Sequence, residues 1–415
     1  MTSNPPAPAT VLHALSRDGW LLFSARGLRL FAYGALSVVL VLYLTGIGLS
    51  PSATGLLLTL TLMGDTAVSL YLTTRADRAG RRRTLLLGAA LMIGAGVAFV
   101  LTRNFVVLLI AATIGVISPS GNEVGPFLAV EQAALSEVVD PAMRTATFAW
   151  YTLAGAFATA AGSLFGGFLS QLLGVQARSP VAGYRGVVVA YAGIGIALAT
   201  VFTRLSPGVE VPASPAASRT AWGIGQSGNV VWRLSGLFAL DAFGGAFVIQ
   251  GFAAYWFYLR YGVNPTQLGS IFFVANLLAG VSALVASRLA SRIGLVQTMV
   301  FTHLPSNVLL ILVPLMPNLT LAVIVLFARF SISQMDVPTR QSYVMAVVRP
   351  EERSAAAGIT GVARTTGAAA APAFAGWMFA RPDLINVPFF VAGALKIVYD
   401  LMLYRGFAAN QRGSE

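Results

Sequence analysis

The chain has 415 residues, is 56% hydrophobic and carries only 10% charged residues, against roughly a quarter in an ordinary soluble protein. Its formal charge of +12 is scattered over short loops with no basic and aromatic face, which argues against nucleic acid as a partner. The absence of Cys excludes disulfides and thiolate chemistry, and two His, His13 and His303, are too few for a His-rich metal site.

Read from its start, the stretch Met1 to Thr10 is polar and Pro-rich. It lacks the basic segment, short apolar core and cleavage site of a secretory leader, so a retained tail over 1–19 is expected. Apolar runs of about twenty residues then recur along the chain, each long enough to cross a hydrocarbon layer as a helix. They predict twelve spans: 20–46, 51–74, 84–102, 105–130, 146–173, 184–204, 234–260, 265–289, 295–314, 317–338, 354–380 and 384–405. The longest polar stretch, Ser206 to Trp232, contains Pro207, Pro212 and Pro215 and reads as a linker. The expected organisation is a bundle over 20–205, a linker over 206–233, a second bundle over 234–405 and a tail over 406–415. The fold class is an all-α membrane protein of twelve transmembrane helices in two pseudo-symmetric six-helix bundles.

The basic residues are almost all Arg; Lys396 is the one Lys. With the amino terminus placed inside, seventeen fall on inner loops and span ends and five on outer ones. Excess positive charge favours the cytoplasmic side, so both termini are expected in the cytoplasm and the protein in the cell (inner) membrane.

The two halves repeat. Pro141-Ala142-Met143-Arg144-Thr145-Ala146 is matched 209 residues later by Pro350-Glu351-Glu352-Arg353-Ser354-Ala355. Gly48, Pro51 and Gly55 are matched 214 residues later by Gly262, Pro265 and Gly269. The loop Ala76-Asp77-Arg78-Ala79-Gly80-Arg81-Arg82-Arg83 has a degenerate copy, Ala290-Ser291-Arg292-Ile293-Gly294. Parallel halves of this kind place a site between them near mid-membrane.

That charged loop resembles the signature between spans two and three of the major facilitator superfamily, matching it at Ala76, Asp77, Arg78, Gly80, Arg81 and Arg82. Thr73 stands where the family has Gly, and Arg75 where it has Leu. The resemblance implies a secondary transporter working by alternating access, with spans one, four, seven and ten lining the cavity. It also implies a conformational latch of Asp77, Arg78, Gly80, Arg81 and Glu131. Asp77 would face the start of span eleven, whose free N–H groups favour an anion, and Arg81 would pair with Glu131. Gly162-Ser163-Leu164-Phe165-Gly166-Gly167 in span five resembles, less closely, an element of drug/proton antiporters, and helix packing through small residues explains it equally well.

Ionisable residues inside spans are costly and mark function. In span one Arg29, Tyr33 and Ser37 share a face, while Arg26 reads as an interfacial anchor. In span four, Ser118-Pro119-Ser120-Gly121 precedes Asn122 and Glu123, the most irregular stretch within any span. On one helix face Glu123 and Glu131 would lie about 12 Å apart. Glu123 is the first choice for proton coupling, with Asp241 and Asp65 as alternatives. Substrate contacts are expected from Arg29, Tyr33, Asn122, Glu123, Asp241 and Arg329. Asp241 would take a proton or pair with Arg29; Asp336 and Arg340 read as an inner ion pair. Lys396 and Asp400 at i, i+4 read as mutually neutralising, and His303 as structural. Arg364 also lies inside a span. Phe127, Phe252, Tyr255 and Trp256 are candidate cavity walls.

The expected function is proton-coupled efflux of a small organic molecule by a monomer in the lipid bilayer, with no cofactor and no metal. The alternatives are an organic-anion importer or exchanger, using Arg29 and Arg329, and a non-transporting receptor or scaffold. No nucleophile–base arrangement or phosphate-cradling loop suggests an enzyme.

Overall fold

A computed structural model describes residues 15–123, 125–140, 143–210, 226–349 and 352–407. Each of the twelve predicted spans contains helix, with spans four, seven and ten interrupted. They comprise α1 (Arg17–Gly46), α2 (Pro51–Ala79), α3 (Arg81–Leu101), α4 (Phe105–Ile114), α5 (Phe127–Val138), α6 (Arg144–Gln176), α7 (Pro180–Thr203), α8 (Gly228–Ala246), α9 (Gln250–Tyr261), α10 (Pro265–Ile293), α11 (Leu295–Leu312), α12 (Leu319–Phe330), α13 (Asp336–Val347), α14 (Arg353–Phe379) and α15 (Val387–Phe407). Among the described residues, nine helical stretches are long and apolar enough to cross a membrane by themselves. The other three spans have local reasons to fall short. Span four is broken into α4 and α5, span ten into α12 and α13, and span eleven (α14) is diluted by Ala, Gly, Thr and two Arg.

Helix starts carry side-chain acceptors for orphan N–H groups. Ser16 accepts from Gly19, Asn104 from Val106 and Val107, Ser179 from Ala182, and Asn318 from Leu321. The repeat survives in backbone geometry. Gly48 (φ 105°) and Gly262 (φ 65°) occupy matching turns, as do Gly80 (φ 97°) and Gly294 (φ 90°). Positive φ is strained for any residue with a Cβ, which explains why glycine stands at both members of each pair.

The chain divides into two compact units. Among the described residues, the first unit falls within 15–48, 64–210 and 264–273, and the second within 49–63, 226–263 and 274–407. In the first, α1 is the central helix and packs on α6 by backbone contact. A Cβ on Gly162 would fall 2.0 Å from the Phe31 carbonyl oxygen, and one on Gly166 2.4 Å from that of Ala35. The glycines of the Gly162–Gly167 element therefore have a structural job: they let two helices touch. In the second unit, Phe238, Met299, Tyr343, Tyr399 and Phe407 form a packed apolar core. Large apolar side chains left exposed, such as Leu101, Val106, Ile110, Phe168 and Ile196, suit helices whose outer solvent is lipid.

Candidate functional site

Each unit encloses its own cluster of charged side chains, and both clusters are largely buried. In the first unit, the break in span four creates the site. The helix ends at Ile114, and Gly121 (φ 73°) and Gly125 (φ 78°) turn the chain back. Ser118 Oγ donates to the Asn122 carbonyl at 2.7 Å, and Asp65 Oδ1 accepts from the Gly125 N–H at 2.7 Å. Asp65 thus closes a backbone hydrogen bond that the broken helix leaves open.

The break brings Glu123 onto the same guanidinium as Glu131. Arg29 donates to Glu123 through Nη1 and to Glu131 through Nη2, the latter at 2.5 Å. Arg26 Nη1 lies 2.6 Å from Glu123 Oε1, close but not aligned as a hydrogen bond. Tyr151 donates its hydroxyl to Glu131. Arg29 and Glu131 are fully buried, while the Glu123 side chain retains 20% exposure. Aromatic faces cover the cations: Arg29 lies 4.8 Å from the Phe127 ring centroid and Arg26 4.4 Å from that of Tyr151. Tyr33, one turn beyond Arg29, stacks on Tyr191.

This geometry corrects three expectations. Glu123 and Glu131 do not lie about 12 Å apart on one helix, because the helix between them is interrupted. Glu131 pairs with Arg29 and Tyr151, not with Arg81. Arg26 is buried in the cluster and not an interfacial anchor. Tyr151, missed in the sequence, has no signal there beyond its membrane location.

In the second unit Asp241, on α8, is the hub. Its Oδ1 accepts from Lys396 Nζ at 2.5 Å, and its Oδ2 lies 3.3 Å from Arg340 Nη1 and 3.4 Å from Arg364 Nη1. Gly244 and Gly245 make room for the lysine: a Cβ on either would sit 3.2–3.3 Å from its stem. Asp336 holds Arg340 at 2.9 Å. Asp400 accepts from His303 Nδ1 at 2.8 Å and Asn307 Nδ2 at 2.9 Å. Lys396 Nζ lies 3.4 Å from His303 Nε2, so Lys396 as donor assigns the neutral imidazole proton to Nδ1. The expected Lys396–Asp400 neutralisation is replaced by Lys396–Asp241 and His303–Asp400. Asp241 takes its described partners from its own unit, and so does Arg29, in place of the expected Asp241–Arg29 pair. The pairing of Asp336 with Arg340 is present but buried. Arg329 packs over Phe330 at 5.0 Å, and its Nε has no hydrogen-bond partner among the described residues.

The charged loop falls at the α2–α3 junction. The side chains of Asp77 and Arg78 lie outside the described residues. Arg81 Nη1 donates to the carbonyls of Val209 (3.1 Å) and Ala133 (3.2 Å) and lies 3.7 Å from Glu137. The carboxylate of Glu210, in the segment read as linker, accepts from the N–H groups of Arg81 (2.7 Å) and Arg82 (3.1 Å). It caps the start of α3, where free N–H groups and the helix dipole favour an anion. In the second unit Glu352 likewise accepts from the N–H groups of Gln226 and Ser227, just before α8. Replacing Glu210 with Gln is expected to lower stability by about 1 kcal/mol, read as a small fall in Tm.

Comparison with known proteins gives one family. The sequence matches the family model described as Major Facilitator Superfamily over residues 22–372 and again over 242–412. An uncharacterized membrane protein of Saccharomyces cerevisiae, YJR124C, is 29% identical over 94% of this chain and 93% of its own length. Among solved structures, the nucleoside transporter NupG superposes with a TM-score of 0.72 at 11% identity, over 94% of this chain and 99% of its own. A bacterial homologue of the human lysosomal transporter Spinster, inward-facing and occupied, gives 0.70 at 16%, over 98% of both chains. A D-xylose–proton symporter gives 0.67 at 15%, over 93% and 97%.

Proposed function

This chain belongs to the major facilitator superfamily, and on that basis we propose that it is a proton-coupled secondary transporter of a small organic molecule. The observation that carries this reading is the shared guanidinium of Arg29, held by Glu123 and Glu131 inside the broken fourth span. Two arginines and two glutamates balance in charge. A proton added to Glu123, the most exposed member of the cluster, weakens its hold on Arg26 and Arg29 and leaves the cluster one positive charge in excess. Such an excess, desolvated among Phe127, Tyr151 and Glu131, favours whichever conformation wets it, which is the differential a two-state carrier needs. Asp65 supports the same device by pinning the broken strand of backbone at Gly125.

Solved relatives of this fold include a nucleoside transporter and a sugar–proton symporter, so the fold itself does not select the cargo. Export in exchange for protons is the direction favoured by the resemblance of Gly162–Gly167 to the antiporter element. Both termini are assigned to the cytoplasm and the chain to the cell membrane on the Arg distribution. The latch of Asp77, Arg78, Gly80, Arg81 and Glu131 is revised: Glu131 belongs to the coupling cluster, and Glu210 joins Arg81 at the loop.

The test is transport by purified protein in proteoliposomes under an imposed pH gradient. Uphill accumulation of cargo that collapses on adding a protonophore is expected. Accumulation unaffected by the protonophore contradicts proton coupling.

A further inference from the structure

The second unit contains a cavity of about 870 Å³ between α8, α13 and α14, within the size range of small-molecule sites. Among the described residues Arg340, Arg353 and Arg364 line it, with no Asp or Glu. Gln341, Ser342 and Thr360 supply neutral polar groups, and Phe238 an aromatic wall. We propose that this cavity binds the anionic group of a small organic phosphate or carboxylate, and that the cargo is therefore an organic anion. The second clause rests on the transport reading above; the binding site does not.

Three features support it. First, the donors are not exhausted. Each guanidinium carries five N–H groups, yet Arg340 and Arg364 both reach the same oxygen, Asp241 Oδ2, through Nη1 at 3.3–3.4 Å. That oxygen is a long, shared acceptor, and Arg364 retains 34% side-chain exposure. Arg353 donates through Nε to the Met345 carbonyl at 2.9 Å, which fixes its plane and leaves its terminal nitrogens for a ligand. Second, the described lining is cationic. Asp241, Asp336 and Asp400 balance Lys396, Arg340 and Arg364 in number, and exposed Arg353 makes no ion pair among the described residues. A ligand anion can meet Arg353 without breaking any of these pairs. Third, the donors are preorganised. Arg340 is held by Asp336 and lies 5.4 Å from the Phe238 ring centroid. Forked, planar arginine donors match carboxylate and phosphate oxygens two at a time. The cavity exceeds the needs of a bare inorganic ion, and its neutral polar wall suits the remainder of an organic molecule.

The same chemistry describes a free organic anion and the phosphate of a lipid headgroup, and the experiment separates them. Purified full-length protein is placed in nanodiscs of phosphatidylcholine, with or without phosphatidylglycerol. Its Tm is followed against glycerol 3-phosphate, benzene-1,3,5-tricarboxylate and uncharged glycerol. Saturable stabilisation by at least one of the two anions in phosphatidylcholine, none by glycerol, and affinity at least tenfold weaker in Arg353→Gln and in Arg364→Gln are expected. Arg364→Lys should fall between wild type and Arg364→Gln. Stabilisation by phosphatidylglycerol with no response to either soluble anion assigns the site to a headgroup and overturns the cargo class. No response in any arm, or one indifferent to both arginines, overturns the site. Arg353 is exposed and its replacement leaves every buried ion pair intact, so loss of folding does not confound that variant. Binding is read without a gradient, so failure here leaves proton coupling untouched, and failure of coupling leaves this site untouched.

Discussion

Arg29→Met is expected to destabilise the protein by about 3–5 kcal/mol, the usual cost of removing one partner from a buried ion pair. Glu123 keeps Arg26, but Glu131 is left fully buried with Tyr151 as its one remaining hydrogen-bond donor among the described residues. The cluster passes from neutral to one negative charge, with Glu131 fully buried. The decisive comparison is the double variant Arg29→Met/Glu131→Gln. It restores neutrality with the Arg26–Glu123 pair alone and should recover a large part of the lost Tm. A single variant as stable as wild type, or a double variant no better than the single, contradicts the described cluster.

Asp241→Asn should produce a loss of similar size, about 3–5 kcal/mol. Asp241 touches Lys396, Arg340 and Arg364, so its neutralisation leaves three cations against Asp336 and Asp400. Adding Lys396→Met removes the cation that sits nearest Asp241 and should restore Tm. Asp336→Asn should cost less, because Arg340 keeps Asp241. Unfolding in detergent, followed by tryptophan fluorescence for these three variants side by side, reads both orderings.

These sites were partly legible in the sequence. Apolar length and positive-inside bias give the twelve spans, and paired glycines at a fixed offset give the duplication. The irregularity of span four is visible in Ser118-Pro119-Ser120-Gly121. Its consequence is not, because spacing arguments assume a continuous helix. Once Gly121 and Gly125 turn the backbone, Glu123 and Glu131 meet on Arg29. Lys396 misleads for a related reason. Local spacing pairs it with Asp400, yet Gly244 and Gly245 open a path to Asp241 on another helix. His303 then takes Asp400. Glu210 escapes notice because its partners are backbone N–H groups more than a hundred residues away. The arginine-lined cavity needs α13 and α14 side by side, which no linear pattern displays.

The central claim is that protons act through the Arg29 cluster. Its most direct test is Glu123→Gln in proteoliposomes, assayed on one preparation for cargo counterflow and for uphill transport driven by a pH gradient. Counterflow needs substrate binding and conformational exchange but no net proton movement. The account predicts that counterflow persists while gradient-driven accumulation is lost. Full gradient-driven accumulation in Glu123→Gln would contradict it.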